Sequence, residues 1–517
     1  MSVTVDRIPT GVRGWVKGLG LLPTLYPKRL GIILLAALLL KLSITMWNAF
    51  SYDIKHQYDS PRHALRTGTC GLYTDTLYYN PPLYYMAGCP AMALGLLSQI
   101  DINDQILTPL SRGDSLDSIK NTLRDTVDYL SIVDASGGQL LRLINWGMLT
   151  AVYGIWIFVL FPRFLGPGFM AFAASLMLLA LPGYQKIGAM VNSDNLFVFL
   201  TTVSFLLYVG LLDKARITVR DMVIMGLTIG ALGLTRPFAV IPMVLIGGGI
   251  AFRLWRSAGF TLRPLQLAPL LGRYAVFAVL VVALSSSWWI YRQAVTGDAF
   301  KRYPDDYTEV IAPHVKAAYV DKFDHGRFYS TFHIRELLEM PNRLYDQVRK
   351  DTPDPSVEPW QQTLNHSFAT LMFSDFWADH WLYFSGPQKR ETDANVPFKR
   401  AILIYALFIT PIMLVMGAVG LVRLGIQAAR SGDLEEKGVL VLMSALSIAL
   451  YVCWQATEGM EPGKNTSVKF IYVAYFMPFF IAAMFAAPLR RFVPDRVTTT
   501  ALLVLLALAL PVSLWRW

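Results

Sequence analysis

The sequence is poor in charged residues and in cysteine, and it lacks the motifs of nucleotide-binding enzymes. Only 16% of its 517 residues are charged, which is well below the share in a typical soluble domain. Three cysteines are too few for a disulfide framework. The sequence contains no glycine-rich dinucleotide fingerprint and no P-loop pattern, which argues against a nucleotide-sugar donor or an ATP-driven pump.

Long apolar runs make up most of the chain. Hydrophobic residues account for 54% of the sequence, so the bilayer is the expected solvent. A spanning helix needs roughly 20 mostly apolar residues. The sequence therefore predicts an all-α polytopic membrane protein with about eleven transmembrane helices, within a range of about 11–13. The predicted spans are 30–50, 140–161, 165–183, 195–212, 220–234, 237–252, 274–292, 400–422, 438–456, 470–487 and 497–514.

The distribution of Lys and Arg predicts the orientation. With a cytoplasmic N-terminus, basic clusters fall in the inner loops, as the positive-inside rule requires. The apolar run 83–100 contains Gly88, Pro90 and Gly95, and counting it as a span would move those clusters outside. We therefore interpret it as interfacial or re-entrant. The inner clusters are Lys214, Arg216 and Arg220; Arg253, Arg256, Arg263 and Arg273; Arg423, Arg430 and Lys437; and Arg490, Arg491 and Arg496.

Two long polar stretches are predicted on the extracytoplasmic side, a first outer loop at 51–138 and a second at 293–399. Both are expected to bear interfacial helices. The chain then divides into a cytoplasmic N-terminal segment at 1–29, a transmembrane module at 30–292, the loop at 293–399 and C-terminal transmembrane helices at 400–517. An amphipathic helix is predicted in the first loop, with one face formed by Leu116, Ile119, Leu123, Val127 and Leu130.

The net charge of +10 follows mostly from the cytoplasmic loops. The expected partners are membrane lipids and not nucleic acid. The expected location is a bacterial cytoplasmic (inner) membrane, with the active site on the extracytoplasmic side.

Ionisable side chains follow the first predicted span. Asp53, His56 and Asp59 lie just beyond the membrane, where such groups are functional candidates by default. The spacing also allows a solvated loop in which Asp53 caps a helix start. Further along, two prolines stiffen Tyr-Tyr-Asn-Pro-Pro-Leu-Tyr-Tyr at 78–85, and its tyrosines, including Tyr79, suit a membrane interface.

Together these segments resemble the GT-C superfamily of membrane glycosyltransferases, particularly the branch of protein O-mannosyltransferases and the aminoarabinose transferase. The resemblance includes Asp53 after the first span, the Pro-Pro-Leu segment and Arg142 at the start of the second span. It continues with Asn-Ser-Asp-Asn at 192–195 and Thr-Arg-Pro at 235–237, and it covers about the first half of the chain. The chain departs from many relatives because Ile54, and not a second acidic residue, follows Asp53.

The resemblance implies an inverting glycosyltransferase that moves a hexose or pentose from a polyprenyl phosphate to a glycan, lipid or protein acceptor. Such transfer needs a carboxylate to take the acceptor proton and cations to stabilise the departing phosphate. Asp53 is the expected base. A basic residue on the outer side runs against the positive-inside bias, and donor phosphate would explain it. The expected phosphate-binding residues are Arg142, Arg236 and Lys469, and the expected substrate-binding residues are His56, Asp59, Tyr79 and Asp194.

Three alternatives stay open. The sequence identifies no cofactor with certainty, but a divalent metal is possible, for instance at Asp53, His56 and Asp59. A polysaccharide polymerase or ligase would also use polyprenyl-linked sugars. A secondary transporter or flippase would have a similar number of spans, although no paired broken helices occur in matching halves.

The second outer loop is expected to cover the site and to offer a sugar the aromatic faces of Trp360, Trp377 and Trp381.

Overall fold

The structure of the protein is a computed structural model. The described residues are 28–47, 83–84, 86–87, 90, 103–122, 136–189, 193–260, 264–297, 299, 330–339, 367–377, 396–458 and 473–486. Within these ranges all regular secondary structure is helical, as the composition predicts.

Thirteen labelled helices of the described ranges form the framework. They are α1 (Lys28–Trp47), α2 (Ser136–Ile155), α3 (Phe169–Ala180), α4 (Pro182–Ala189), α5 (Ser193–Leu212), α6 (Val219–Gly233), α7 (Val240–Ser257), α8 (Pro264–Thr296), α9 (Ile334–Glu339), α10 (Phe368–Trp377), α11 (Val396–Ser431), α12 (Val439–Glu458) and α13 (Met477–Ala486). Helix α2 continues through a π-helical turn and a short α-helix, Trp156–Leu160 and Phe161–Leu165. Short helical turns precede α7, α12 and α13, at Pro237–Ala239, Leu434–Gly438 and Ala474–Phe476.

The protein is an integral membrane protein by the length and composition of these helices. Among the described residues, six helices are long and apolar enough to cross a bilayer, and three shorter apolar helices correspond to other predicted spans. The predicted total of about eleven is therefore confirmed only in part, and the last predicted span, 497–514, lies outside the described residues. The six are Arg142–Leu165, Ser193–Leu212, Pro237–Ser257, Ala268–Ala294, Leu403–Ser431 and Leu434–Cys453.

Some helix limits differ from the sequence-based boundaries for clear reasons. The predicted span 165–183 ends early, because Pro182 interrupts the helix and α4 begins there. The predicted span 274–292 is the central part of α8, whose 33 residues reach about 50 Å. A capping box between Thr218 and Asp221 fixes the start of α6.

Close packing of α6 against α8 depends on three glycines. A β-carbon on Gly226 would lie 2.9 Å from the Leu280 Cβ, and one on Gly230 would lie 2.8 Å from the Leu284 Cβ. One on Gly233 would lie 2.5 Å from the Ser285 Cβ. Small residues of this kind let two membrane helices approach closely. The absence of side chains at the three glycines therefore allows the close approach of α8 to α6.

Ion pairs hold several helices together at one end of the bundle. Arg163, beyond α2, pairs with Asp213 at 2.7 Å and also with Glu436, which precedes α12. Glu435 forms ion pairs with Arg253 and Arg256 in the last turns of α7, at 3.6 and 3.5 Å. These loops are the ones that the charge pattern places together on the inner side, so we call this the inner end. That it faces the cytoplasm stays a prediction.

Part of the first outer loop is described. Residues 116–122 are helical, in agreement with the predicted amphipathic helix. Of its predicted apolar face, Ile119 is buried, whereas Leu116 is 75% exposed. The other three apolar positions of that face lie outside the described residues.

Candidate functional site

Three of the predicted site residues are described, and two of them form an ion pair. Asp194 lies in the first turn of α5, and Arg236 lies between α6 and α7. The Arg236 Nη2 is 2.6 Å from the Asp194 Oδ2, and these side chains are only 8% and 1% exposed. The predicted residues Asp53, His56, Asp59, Tyr79 and Lys469 lie outside the described residues.

Local sequence explains the position of Arg236. Helix α6 ends at Gly233, and the Thr235 hydroxyl donates to the Leu232 carbonyl at 2.6 Å, which satisfies a terminal acceptor of the helix. Pro237 disfavours helical backbone in the residue before it, and Arg236 is accordingly extended, with φ −149° and ψ 149°. The side chain is thereby directed from the turn toward the start of α5.

A second set of buried polar contacts adjoins the ion pair. The Asn195 amide donates to the Asn145 backbone carbonyl at 2.6 Å, and the Asn145 amide donates to the Tyr84 hydroxyl at 3.0 Å. All three side chains are buried. The Leu83 backbone N–H donates to the Leu234 carbonyl at 3.1 Å, which holds Leu83 at the end of α6.

We call Tyr84, Asn145, Asp194, Asn195 and Arg236 the outer polar cluster. Its members come from four separate segments of the chain, and each segment carries part of the GT-C resemblance. Helices α5 and α7 each run from this cluster to the inner end. The cluster therefore lies at the opposite end of the bundle, as the predicted topology requires.

Sequence reasoning missed the central member of this cluster, Asn145. The available signal was an asparagine within an apolar run, three residues after Arg142 and so on the same helix face. Arg142 itself lies at the start of the spanning part of α2 and is partly exposed. Tyr84 belongs to the segment 78–85, which the sequence analysis identified, but the tyrosine predicted there to bind substrate was Tyr79.

Three further charged side chains at helix positions were also missed. Besides Asp194, Arg236 and Glu435, the buried charged residues of the described ranges are Lys41 on α1, Arg292 on α8 and Asp375 on α10. Burial of a charge in a membrane protein is costly and commonly marks function. Hydropathy windows hide such residues because their neighbours are apolar.

An apolar cavity of about 520 Å³ lies beside the cluster. Its walls come from α10, α11, α12, the beginning of α13 with the turn before it, and Phe332, which precedes α9. They are almost entirely aromatic, aliphatic or Met side chains. The ring of Tyr451 in its wall is 6.1 Å from that of Phe238, two residues after Arg236. Phe197, three residues after Asp194, is 4.7 Å from Tyr475, ring to ring.

Trp377 differs from its predicted role. Its side chain is 2% exposed, lines the apolar cavity and donates through Nε1 to the Thr410 hydroxyl at 2.8 Å. The indole is thus packed against apolar side chains, with its one donor already bonded. Trp360 and Trp381 lie outside the described residues.

No metal centre is formed by the described part of the chain. No three His, Cys, Asp or Glu side chains come together there in a way that could hold an ion. The predicted alternative at Asp53, His56 and Asp59 falls on residues outside that part, so the possibility of a divalent metal is untested.

No protein-family model matches the sequence, and a search of curated proteins finds no match. Two solved structures do match, both of ArnT from Cupriavidus metallidurans. The crystal structure bound to undecaprenyl phosphate is 13% identical, with a TM-score of 0.33, over 92% of this chain and 77% of ArnT. The apo structure gives the same identity and TM-score over 88% and 76%. ArnT belongs to the GT-C branch that the motifs resemble, but a likeness this weak does not determine a function.

Proposed function

We propose that the protein is an inverting glycosyltransferase that moves a hexose or pentose from a polyprenyl-phosphate donor to an acceptor outside the cytoplasm. The observation that carries the proposal is the outer polar cluster. Four segments that are far apart in sequence contribute buried polar side chains to one end of a membrane bundle. The ring of Tyr451, in the wall of an apolar cavity, lies 6.1 Å from the ring of Phe238, two residues after Arg236. Buried polar groups at membrane depth are costly, and a polar substrate group explains their presence.

The cavity and the cluster match the two chemical parts of such a donor. An isoprenoid chain is apolar, and the cavity walls are aromatic, aliphatic or Met side chains. The phosphate and the sugar are polar, and the cluster offers amide, hydroxyl and guanidinium groups. Lateral entry from the membrane would bring the chain to the cavity and the phosphate to the cluster.

The chemistry assigns different tasks to Asp53 and to the cations. The acceptor oxygen attacks the anomeric carbon, the bond from that carbon to the phosphate oxygen breaks, and its electron pair leaves with the phosphate. Asp53 takes the acceptor proton as general base. Arg142, Arg236 and Lys469 stabilise the charge that develops on the departing phosphate. His56, Asp59 and Tyr79 contact the sugar or the acceptor.

In this proposal Asp194 acts through Arg236. Its carboxylate binds one guanidinium nitrogen and fixes the side chain in one orientation. Guanidinium carries five N–H donors in a planar fork, a geometry that suits phosphate oxygens. The acceptor is a glycan, a lipid or a protein, and the membrane is the bacterial cytoplasmic membrane with the site on its outer face.

Donor consumption tests the proposal directly. Purified protein in detergent is incubated with undecaprenyl phosphate linked to a pentose, to aminoarabinose or to a hexose, together with a heat-inactivated cell-envelope extract that supplies glycan, lipid and protein acceptors. Released undecaprenyl phosphate is quantified by mass spectrometry. We expect release with one donor class and its loss in Asp53→Asn, which keeps the size of the side chain but removes the proton acceptor. Asp221→Asn, at the inner end, is the matched carboxamide control.

The possible outcomes separate the alternatives. A transporter or flippase would bind the lipid without consuming it. A ligase would consume only donors that carry an oligosaccharide. If folded wild-type protein released no polyprenyl phosphate from any of these donors, the proposal would be wrong. If release persisted in Asp53→Asn, the base would have to be reassigned.

A further inference from the structure

We propose that Asn145 is a positioning residue for sugar transfer, which holds the segment of Tyr84 at a fixed place relative to Arg236. The inference rests on the proposed function, because it concerns the geometry of the same site. Asn145 is 0% exposed, and its side-chain amide donates to the Tyr84 hydroxyl at 3.0 Å. The two residues are 61 positions apart in sequence, so this bond joins two distant segments.

The contacts of the outer polar cluster close into a ring that joins four segments of the chain. Each link of the ring is either a hydrogen bond or ion pair of 2.6–3.1 Å or a short step along the chain. One segment can therefore move relative to another only if a bond breaks. The ring runs through Arg236, Asp194, Asn195, Asn145, Tyr84, Leu83 and Leu234, and back to Arg236.

Helix α2 is a firm attachment point for this ring. The indole of Trp146, the residue after Asn145, donates to the Leu42 carbonyl of α1 at 2.9 Å. On the side of α5, the Asn145 carbonyl accepts from the Asn195 amide at 2.6 Å. Helix α2 is thus bonded to two neighbouring helices at this level, and the Asn145 side chain extends this framework to Tyr84.

The segment of Tyr84 is held at two points, and the two bonds have different effects. The bond from the Leu83 N–H to Leu234 attaches the backbone to the turn that holds Arg236. With this bond alone, the segment could still pivot about it. The bond from Asn145 to the Tyr84 hydroxyl prevents this rotation. Both side chains are buried, so water does not compete for the bond.

Sugar transfer needs these two parts of the site at a fixed separation. In the proposed function Arg236 binds the phosphate, and the segment 78–85 carries Tyr79, which contacts the sugar or the acceptor. The anomeric carbon lies between the phosphate and the acceptor, so both contacts must be correct at the same moment. A misplacement of about 1 Å costs roughly 100-fold in rate. Loss of the Asn145 bond should therefore slow the reaction and leave phosphate binding intact.

Kinetics in the assay for polyprenyl-phosphate release test the inference, together with resistance to unfolding by SDS. Asn145→Leu and Tyr84→Phe each remove the bond from one side, and the double variant replaces both partners by apolar groups. The control is Thr202→Val. It removes another buried hydrogen bond between α5 and the continuation of α2, from the Trp156 indole to the Thr202 hydroxyl at 3.3 Å.

We expect the two single variants and the double variant to lower kcat by about tenfold or more, since each loses the same positioning bond. The donor KM should stay within about twofold of wild type, because the ion pair of Arg236 is unchanged. The double variant should lose no more than either single variant, and Thr202→Val should keep the wild-type kcat. A raised KM with unchanged kcat would overturn the inference.

The double variant separates positioning from a purely structural role. A buried polar group left without its partner destabilises a protein, whereas replacing both partners by apolar groups is nearly neutral. The double variant should therefore recover resistance to SDS but not kcat, and it also decides the case in which neither single variant folds. If kcat recovered together with stability, the role of Asn145 would be structural and the inference would be wrong.

Failure of the inference is distinguishable from failure of the proposed function. If wild type released no polyprenyl phosphate from any donor, the proposed function would fail, and the role of Asn145 in transfer would fail with it. If wild type were active and the variants kept its kcat, only the inference would fail. Hydrogen exchange gives a readout that does not depend on turnover. The Leu83 amide should exchange faster in Tyr84→Phe than in wild type or Thr202→Val, and equal exchange in all three would refute the holding role.

Discussion

Removing one charge of the buried Asp194–Arg236 pair should destabilise the protein far more than removing one charge of an exposed pair. The two side chains are 1% and 8% exposed, with nitrogen and oxygen 2.6 Å apart. At an effective dielectric constant of about 20, unit charges at this distance attract by about 6 kcal/mol. Lost hydration offsets part of this attraction. A single substitution, however, leaves the other charge buried without its ion-pair partner, which costs about 3–5 kcal/mol.

A double-mutant cycle measures the free energy of interaction between Asp194 and Arg236. Asp194→Asn, Arg236→Gln and the double variant are unfolded by SDS in mixed micelles, and the free energy of unfolding is followed by circular dichroism. The loss in the double variant should fall short of the sum of the single losses by about 0.5–3 kcal/mol, because the single variants each leave a buried charge. Lys214→Gln is the control, since the Lys214–Asp221 pair has side chains that are 46% and 11% exposed. An exposed pair contributes about 0–1 kcal/mol.

Two results would refute this reasoning. If Asp194→Asn cost no more than Lys214→Gln, the carboxylate would not be buried against Arg236. If the double variant lost the full sum of the single losses, the two side chains would not be coupled.

Gly230→Ala should lower the free energy of unfolding by about 1–3 kcal/mol, because the new methyl group overlaps Leu284 on α8. Gly248→Ala is the control, since a β-carbon there meets nothing within 4 Å, and equal losses in the two variants would contradict the packing. In a protein whose three native cysteines are replaced by serine, Asn121→Cys should react with an impermeant thiol reagent in intact cells. The reason is that the apolar run 83–100 is predicted not to cross the membrane. Reaction only after permeabilisation would show that residue 121 faces the cytoplasm and would contradict the predicted topology.

The sequence located the six described spans because the bilayer restricts the available structures. Spanning segments must satisfy their own backbone hydrogen bonds, so apolar length alone predicts most of them. The start of α5 was predicted within two residues of Ser193. The break at Pro182 and the extent of α8 were harder, since hydropathy does not report where a helix continues beyond the hydrocarbon.

The contacts of the candidate site were less predictable than its members. Asp194 and Arg236 were both identified, but they are 42 residues apart, and their pairing depends on the relative rotation of α5 and α6. Asn145 and Arg292 were missed for a different reason. Each is one polar residue in an apolar run, and only the packing shows that it is buried.

The contrast between the two ends of the bundle favours an enzyme that works on one side of the membrane. At the inner end Arg163 joins Asp213 to Glu436, and Glu435 binds two arginines of α7, so α2, α5, α7 and α12 are tied together. A secondary transporter has to open its site to both sides in turn, and these four helices would have to separate at the inner end for that. Each such separation breaks several ion pairs that are partly shielded from water. A transferase needs access only to the outer polar cluster, and lateral entry of a lipid donor leaves the inner contacts intact. The same arrangement therefore explains why the buried polar groups of the candidate site lie at the outer end of the bundle.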